Sequence, residues 1–360
     1  MKIFILILTM VIISPFLLNS LYAQGEATVL FLLINPGARQ GGMGETGVAL
    51  ADDATAIYWN PAGLAFQYND PEIDKKGEAT LMHVNWLPQF NLSDMYYDYA
   101  AGRYHLEDIG TVGMAIQYIS YGESIYTGEG GPEELGRFNS SEVSITGSYA
   151  LKVKENLGVG LNLKYIYSRL SPIDVTVGTE KGKGIASGFA VDLGVLYHPG
   201  WAKRLSLGAN LANVGPKISY VDYAQADPLP TNLRLGFAYH LVKSEFNTLT
   251  LAYETNKLLV NRDSTKVDGV FEAMLYSSWS SSDAFDKFTH AFGLEYWYSQ
   301  LIALRAGYFY ESPNAGDRKF YTFGGGLRYS IFGFDFSYIL GSVDDSPLSD
   351  TMRFSLGIRF

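Results

Sequence analysis

The last ten residues, Thr351-Met-Arg-Phe-Ser-Leu-Gly-Ile-Arg-Phe360, constrain this chain more than any other stretch. Met352, Phe354, Leu356, Ile358 and Phe360 alternate strictly with Arg353, Ser355, Gly357 and Arg359. Successive side chains on a strand point to opposite faces, so the segment has one apolar face and one polar face. Two architectures accept such a strand: a soluble sandwich with a wet outer side, or a barrel whose apolar face meets lipid. The rest of the chain decides between them.

Beyond residue 78 the sequence breaks into segments of about ten residues with the same period of two, separated by turn chemistry. Leu157, Val159, Leu161, Leu163, Tyr165 and Tyr167 oppose Gly158, Gly160, Asn162, Lys164 and Ser168. Leu233, Leu235, Phe237, Tyr239 and Leu241 oppose Asn232, Arg234, Gly236 and His240, and Phe332, Phe334, Phe336, Tyr338 and Leu340 oppose Gly333, Asp335 and Ser337. Ile302, Leu304, Ala306, Tyr308 and Tyr310 oppose Ala303, Arg305 and Gly307. A sandwich usually carries Thr, Lys and Glu on its wet face. Here the second face is Gly, Asn, Ser and single charges, and the chain holds 26 Tyr, 21 Phe and 38 Gly. Burying Arg305 or Lys164 in a dry core would be expensive, whereas a barrel lumen can solvate or pair them. Tyr residues near strand ends fit an aromatic girdle.

The pattern predicts an all-β transmembrane antiparallel β-barrel of about fourteen strands. Its segments are 78–87, 93–106, 110–121, 139–152, 156–169, 184–198, 204–214, 231–242, 247–258, 287–298, 301–311, 319–329, 332–340 and 351–360. The stretch 259–286 is the longest insertion, with a short helix expected between Asp268 and Trp279, and Gly128–Gly136 and Tyr220–Pro230 read as further loops. Short and long connections should lie at opposite ends, the long ones outside the cell.

At the N-terminus, Lys2 precedes an apolar run from Ile3 to Leu18, and Leu21-Tyr22-Ala23 ends in the small residue a signal peptidase requires. Residues 1–23 are therefore expected to be a signal peptide, the run being short for a membrane span and followed by no Lys/Arg cluster. After Ala23 no stretch of about 18 apolar residues occurs, so no transmembrane helix is expected. The absence of cysteine excludes lipid attachment through Cys, disulfides and thiolate metal sites. The net charge of −10 argues against a nucleic-acid partner.

Residues 30–66 do not read as strands. Gly41, Gly42 and Gly44 surround Met43, but the cluster lacks the Lys-Ser/Thr ending and strand-then-helix context of a phosphate loop. Small residues at this density suit compact packing inside a narrow lumen. Asn60-Pro61 favours a sharp turn and Trp59 is large enough to anchor it. The expectation is a hatch-like segment over 24–77 ahead of a barrel over 78–360, with hatch packing by Gly41, Gly42, Gly44, Trp59, Asn60 and Pro61.

These motifs carry a family resemblance. "NPGAR…GMG…VALADDA…YWNPAGLA" is similar to the hatch region of the FadL-like superfamily of fourteen-stranded long-chain fatty-acid transporters. "FLLINPGARQGGMGETGVA" followed by "WNPA" (31–62), "EYWYSQLIALRAGYFYESPNAGDRKFYTFGGGLRYSIFGFDFSYIL" (295–340) and "SPLSDTMRFSLGIRF" (346–360) resemble the PorV/PorQ family of the type IX secretion system. The continuation "NPAGLA" departs from the more polar PorV sequence and points to the wider group. The resemblance implies a bacterial outer-membrane protein that binds exported proteins or their C-terminal signal domains. It also implies a large outer-membrane translocon barrel as partner, alongside outer-membrane lipid and the barrel-assembly machinery, which reads the terminal Phe360 as its signal. Contacts with cargo or partners are expected on the loops around 122–138, 171–183, 220–230 and 259–286. A described role of such proteins as a lipopolysaccharide deacylase cofactor finds no acid–base or nucleophile set here.

No catalytic, cofactor-binding or metal site is expected. His83, His105, His198, His240 and His290 show no ligand spacing. Asp52-Asp53 reads as a turn or helix start, lacking the other oxygens of a calcium loop, and Asp344-Asp345 reads as a solvated hairpin tip. No Gly-x-Ser-x-Gly elbow surrounds a serine. The rival to a secretion role is a FadL-like channel for hydrophobic small molecules, which needs an apolar pocket leading from the outer loops to the hatch.

Overall fold

The computed structural model describes residues 27–360 except 70, 73, 91–93, 128–130, 132, 178–179, 222–225, 262–266, 281–282 and 342–345. The expected signal peptide and the Asp344-Asp345 tip lie outside the described residues. Fourteen antiparallel strands form a closed barrel. They are β1 (Gly77–Asn85), β2 (Met95–Leu106), β3 (Gly110–Thr127), β4 (Glu134–Lys154), β5 (Leu157–Val177), β6 (Glu180–Tyr197) and β7 (Leu205–Val214). They continue as β8 (Asn232–Lys243), β9 (Asn247–Leu258), β10 (Phe288–Tyr298), β11 (Ile302–Glu311), β12 (Lys319–Tyr329), β13 (Phe332–Gly341) and β14 (Met352–Arg359). Each strand pairs with its sequence neighbours, and β1 pairs with β14 to close the ring. Beside that seam Gly77 and Phe360 exchange both backbone hydrogen bonds, at 2.7 and 2.9 Å. No helix among the described residues is long and apolar enough to cross a membrane.

The alternation is resolved as the sequence dictates, apolar outward and polar inward. Leu163 is 62% exposed and Lys164 3%; Leu356 is 61% exposed and Arg353 1%. Several of the inward charges are paired. Lys164 Nζ lies 2.8 Å from Asp192, and Arg305 donates to Glu295 at 2.7 Å and Asp335 at 2.8 Å. With lipid outside, pairing inside is the arrangement that avoids stranded charge.

Strands β3 to β6 are longer than the sequence pattern indicates. Most of 122–138 and 171–183, read as loops, belongs to two hairpins that extend the strands beyond their neighbours. Arg137 explains part of this. It reaches Glu134 at 2.6 Å and Glu123 at 2.9 Å, so charges that look like turn composition form a ladder across β3 and β4. The tight connections 107–109, 155–156, 244–246, 299–301 and 330–331 share one end with Gly77 and Phe360. The long ones, 215–231 and 259–287 among them, share the other. Short turns mark the periplasmic end and long loops the extracellular one.

Candidate functional site: the occupied lumen and the long-loop rim

Residues 29–66 contact strands nearly all round the ring, which places this segment in the lumen. It is built of one-turn helices (Ala38–Gly41, Ala56–Trp59) and 3-10 turns (Leu30–Leu33, Pro61–Phe66). Its backbone is held by inward side chains of the wall: Ala38 N–H donates to Ser355 of β14 (2.9 Å) and Gly44 N–H to Thr322 of β12 (2.7 Å). Gly47 and Val48 N–H both donate to Glu254 of β9 (2.8 Å each). The carbonyls of Ile57 and Trp59 accept from Asn162 of β5 (2.6 Å) and Asn210 of β7 (3.1 Å).

The expected packing residues all lie in this lumen segment. Gly41 abuts Arg353 and Ser337, and Gly42 runs against the Gly324 backbone. Gly44 has a left-handed backbone (φ 67°), and a Cβ there would meet the Phe292 carbonyl and Tyr308 backbone within 3 Å. Trp59 is fully buried, lies over Gly47, and donates from Nε1 to the Pro36 carbonyl at 3.1 Å. Asn60 donates to the carbonyls of Val48 and Val195, both at 2.9 Å, and Pro61 packs on Gly160 and Gly194.

Sequence reasoning pointed to Arg305 as a lumen charge and to Asp52-Asp53 as a turn, but not to Arg39, Glu45 or Glu295, which join them into networks that hold the segment. Arg39 is bonded by Glu295 of β10, by Asp53 at 3.2 Å and by Asp52. Glu295 continues through Arg305 to Asp335, which also binds Arg328 at 2.7 Å. A second chain runs from Arg353 to Glu45 (2.7 Å), Asn35 (2.7 Å) and Tyr58 (2.8 Å), where Arg234 donates at 2.7 Å. Burial pushes the Asp53 carboxyl up, but Arg39, Thr55 and Gln40 overcome it and hold it below the usual range. Burial raises the Tyr58 hydroxyl to about 12. The Asp53 side chain accepts from the Thr55 N–H at 2.9 Å, forming the turn that starts Ala56–Trp59. The available signal was the lone charge between apolar neighbours on each strand.

The lumen holds one extended apolar cluster and a cavity that carries charges. Val29, Phe31, Leu32, Trp59, Tyr97 and Ile119 share an apolar cluster with Ile218 and Leu229, and the cluster continues to Ala65 and Ala150 near the short turns. Toward the short turns lies a polar cavity of about 470 Å³ lined by Arg39, Asp52, Glu78, His240, Lys243 and Arg328 among others.

At the extracellular end, the helical turns Val270–Glu272, Ala273–Ser277 and Ser278–Ser280 expose Phe271, Leu275 and Tyr276, and Phe285 beside them is 84% exposed. Lys257 anchors this excursion by bonding the Ala284 carbonyl at 2.5 Å, with its ammonium over Trp279 (5.3 Å) and Phe288 (5.1 Å). Among the described residues no cluster of three or more His, Asp or Glu could hold a metal ion.

The profile of the type IX secretion system protein PorV matches residues 24–265. The match runs through the middle of the chain, where sequence alone offered only strand rhythm. No curated protein matches the sequence. The fold is similar to that of the toluene transporter TodX of Pseudomonas putida, with a TM-score of 0.54 and 12% identity over 91% of this chain and 99% of that one. It is also similar to the toluene transporter TbuX of Ralstonia pickettii, with a TM-score of 0.51 and 14% identity over 91% and 98%. At such identities the likeness speaks for the barrel alone. The lipid-facing wall, the fourteen-strand closure and the match over 24–265 together make this outer-membrane chain a member of the PorV family of type IX secretion system proteins.

Proposed function

We propose that this barrel binds exported proteins or their C-terminal signal domains at its long-loop rim and works beside the translocon barrel. The family match supports membership in the secretion system. The observation that carries the binding role is the exposed apolar surface of Phe271, Leu275, Tyr276 and Phe285 on the connection between β9 and β10. Exposed apolar surface on a connecting loop fits a protein contact. In this reading residues 24–77 serve as a hatch that keeps the lumen shut, so the protein acts by surface rather than by conduction.

Hydrophobic uptake is the weaker reading. It calls for an apolar path from the outer loops inward, whereas the lumen cavity is lined by charges and lies toward the periplasm. Mild detergent extraction through a loop tag, followed by mass spectrometry, separates the two. Recovery of a very large barrel or of exported proteins sharing a C-terminal β-domain is the expected result, weakened by serine at positions 271, 275 and 276. A barrel isolated alone with bound hydrocarbon would overturn it.

A further inference from the structure

On the lipid-facing wall near the short turns, Ala79, Leu81, Leu327, Phe334, Leu356 and Ile358 are among the residues lining an almost wholly apolar groove of about 510 Å³. Directly inside lies the polar lumen cavity of about 470 Å³. The two share Thr80, Phe332, Gly333 and Gly357 as lining, so a single layer of barrel wall divides them. At its periplasmic edge the groove ends on Tyr329 and Phe332, which flank the turn Ser330-Ile331 between β12 and β13. Ser330, Ile331 and Phe332 also line the cavity. The turn is therefore a low lip between an apolar slot in the membrane and a charged recess in the periplasmic mouth.

Charges stand on the recess side of that lip. Arg359 N–H donates to the Ile331 carbonyl at 2.9 Å, which sets its half-exposed side chain beside the turn. Glu78, directly opposite Arg359 across β1 and β14, is buried and meets Arg359 Nε at 3.4 Å through Oε1. Its other oxygen, Oε2, is buried with no hydrogen-bond donor among the described residues, Arg103 standing off at 3.5 Å. Asp52 brings a second carboxylate to the same cavity, with its side chain 60% exposed. A buried carboxylate oxygen that lacks a donor calls for one from outside the chain.

We propose that groove and recess form one site for a phospholipid of the periplasmic leaflet with a phosphoethanolamine headgroup. An acyl chain lies in the groove, the phosphate crosses the lip against Arg359, and the primary ammonium turns toward the Glu78 and Asp52 carboxylates. Each part of the lipid meets what its chemistry requires: hydrocarbon on apolar side chains, an anion on a guanidinium, a donor-bearing cation on acceptor oxygens. A phosphoglycerol headgroup brings no cation to the carboxylates, and a phosphocholine brings one with no N–H to donate. Lipid that merely filled the groove would show no such choice. The site shares no residue with the long-loop rim, so it goes beyond the cargo-binding reading and stands or falls apart from it.

The test uses the full-length protein purified from outer membranes in mild detergent. Native mass spectrometry should show one phosphatidylethanolamine retained per barrel. After exchange into fresh detergent, dioleoyl phosphatidylethanolamine should bind about tenfold more tightly than the phosphatidylglycerol or phosphatidylcholine of the same chains, as charge-assisted hydrogen bonds predict. Arg359→Gln should weaken that binding about tenfold. Ala79→Trp, which fills the groove on the outward face shared with Leu81, should abolish it, and Leu235→Trp, on β8 halfway round the ring, should leave it unchanged. Heat-modifiable gel mobility checks that each variant folds, and the headgroup comparison on the unaltered protein decides the outcome where one does not. Equal binding of the three lipids, binding indifferent to Ala79→Trp and Arg359→Gln, or no retained lipid would overturn the proposal. Each of these results leaves the recovery of exported proteins, and so the cargo-binding reading, untouched.

Discussion

Arg39 and Glu295, far apart in sequence, meet in a two-pronged ion pair inside the barrel, Nε to Oε2 and Nη2 to Oε1 both at 2.8 Å. The bond ties the lumen segment to β10 and sits between two further acids of the segment and a second arginine of the wall. Buried charges so arranged add little over a well-packed apolar core, but breaking one leaves its partners uncompensated.

Arg39→Met should therefore destabilise the filled state by on the order of 3 kcal/mol. Chemical unfolding in detergent micelles measures the loss. A double-mutant cycle with Glu295→Gln should show strong coupling, because the two side chains share one network.

Gly307 of β11 faces the backbone of Met43 and Gly44 so closely that a Cβ has no room. Gly307→Val should displace the lumen segment or cost about 1–3 kcal/mol through overpacking. Gly147→Val, where nothing lies within 4 Å, should be nearly silent. Limited proteolysis of residues 27–66 in the two variants gives the comparison.

Asp53 makes the lumen contacts sensitive to acid. Its folded-state affinity for protons is depressed, so its contribution is complete above the unfolded carboxylate pKa of about 3.9 and is lost as pH falls through the lower folded value. Protease susceptibility of the segment should rise below about pH 4. Asp53→Asn should remove that part of the pH dependence while lowering protection at neutral pH.

Phe360 is held to Gly77 by backbone bonds, and its ring covers the glycine from the exposed side. Phe360→Ala should leave refolding in detergent nearly unchanged. The same variant should lower the amount of barrel assembled in cells, read by quantitative blotting of outer-membrane fractions. Equal levels in cells would show that the terminal ring is not the assembly signal.

The strands were legible because each satisfies a local rule. Leu304-Arg305-Ala306 announces its faces without reference to any other strand. What Arg305 binds was not legible, since its pairing with Glu295 and Asp335 depends on register among β10, β11 and β13. The tips of β3 and β4 were hidden for a related reason: Glu123, Glu134 and Arg137 look like loop chemistry until pairing sets them side by side. The lumen segment lacks a period, so only its glycines, Trp59, Asn60-Pro61 and the Asp52-Asp53 turn spoke in advance. Residues such as Glu45, whose partner Arg353 comes from the last strand, gave no local sign at all.

That last pairing sets an order of events. Glu45 and Arg353 are separated by 308 positions, and the segment's other anchors lie on strands distributed around the ring. The anchors Ser355 and Arg353 on β14 come into place only with the final strand. Contacts of such long sequence separation form late and slowly. The full set of bonds around the lumen segment is therefore complete only when the last strand joins the wall. Any delay in closing the seam would be felt first at the opposite end of the chain.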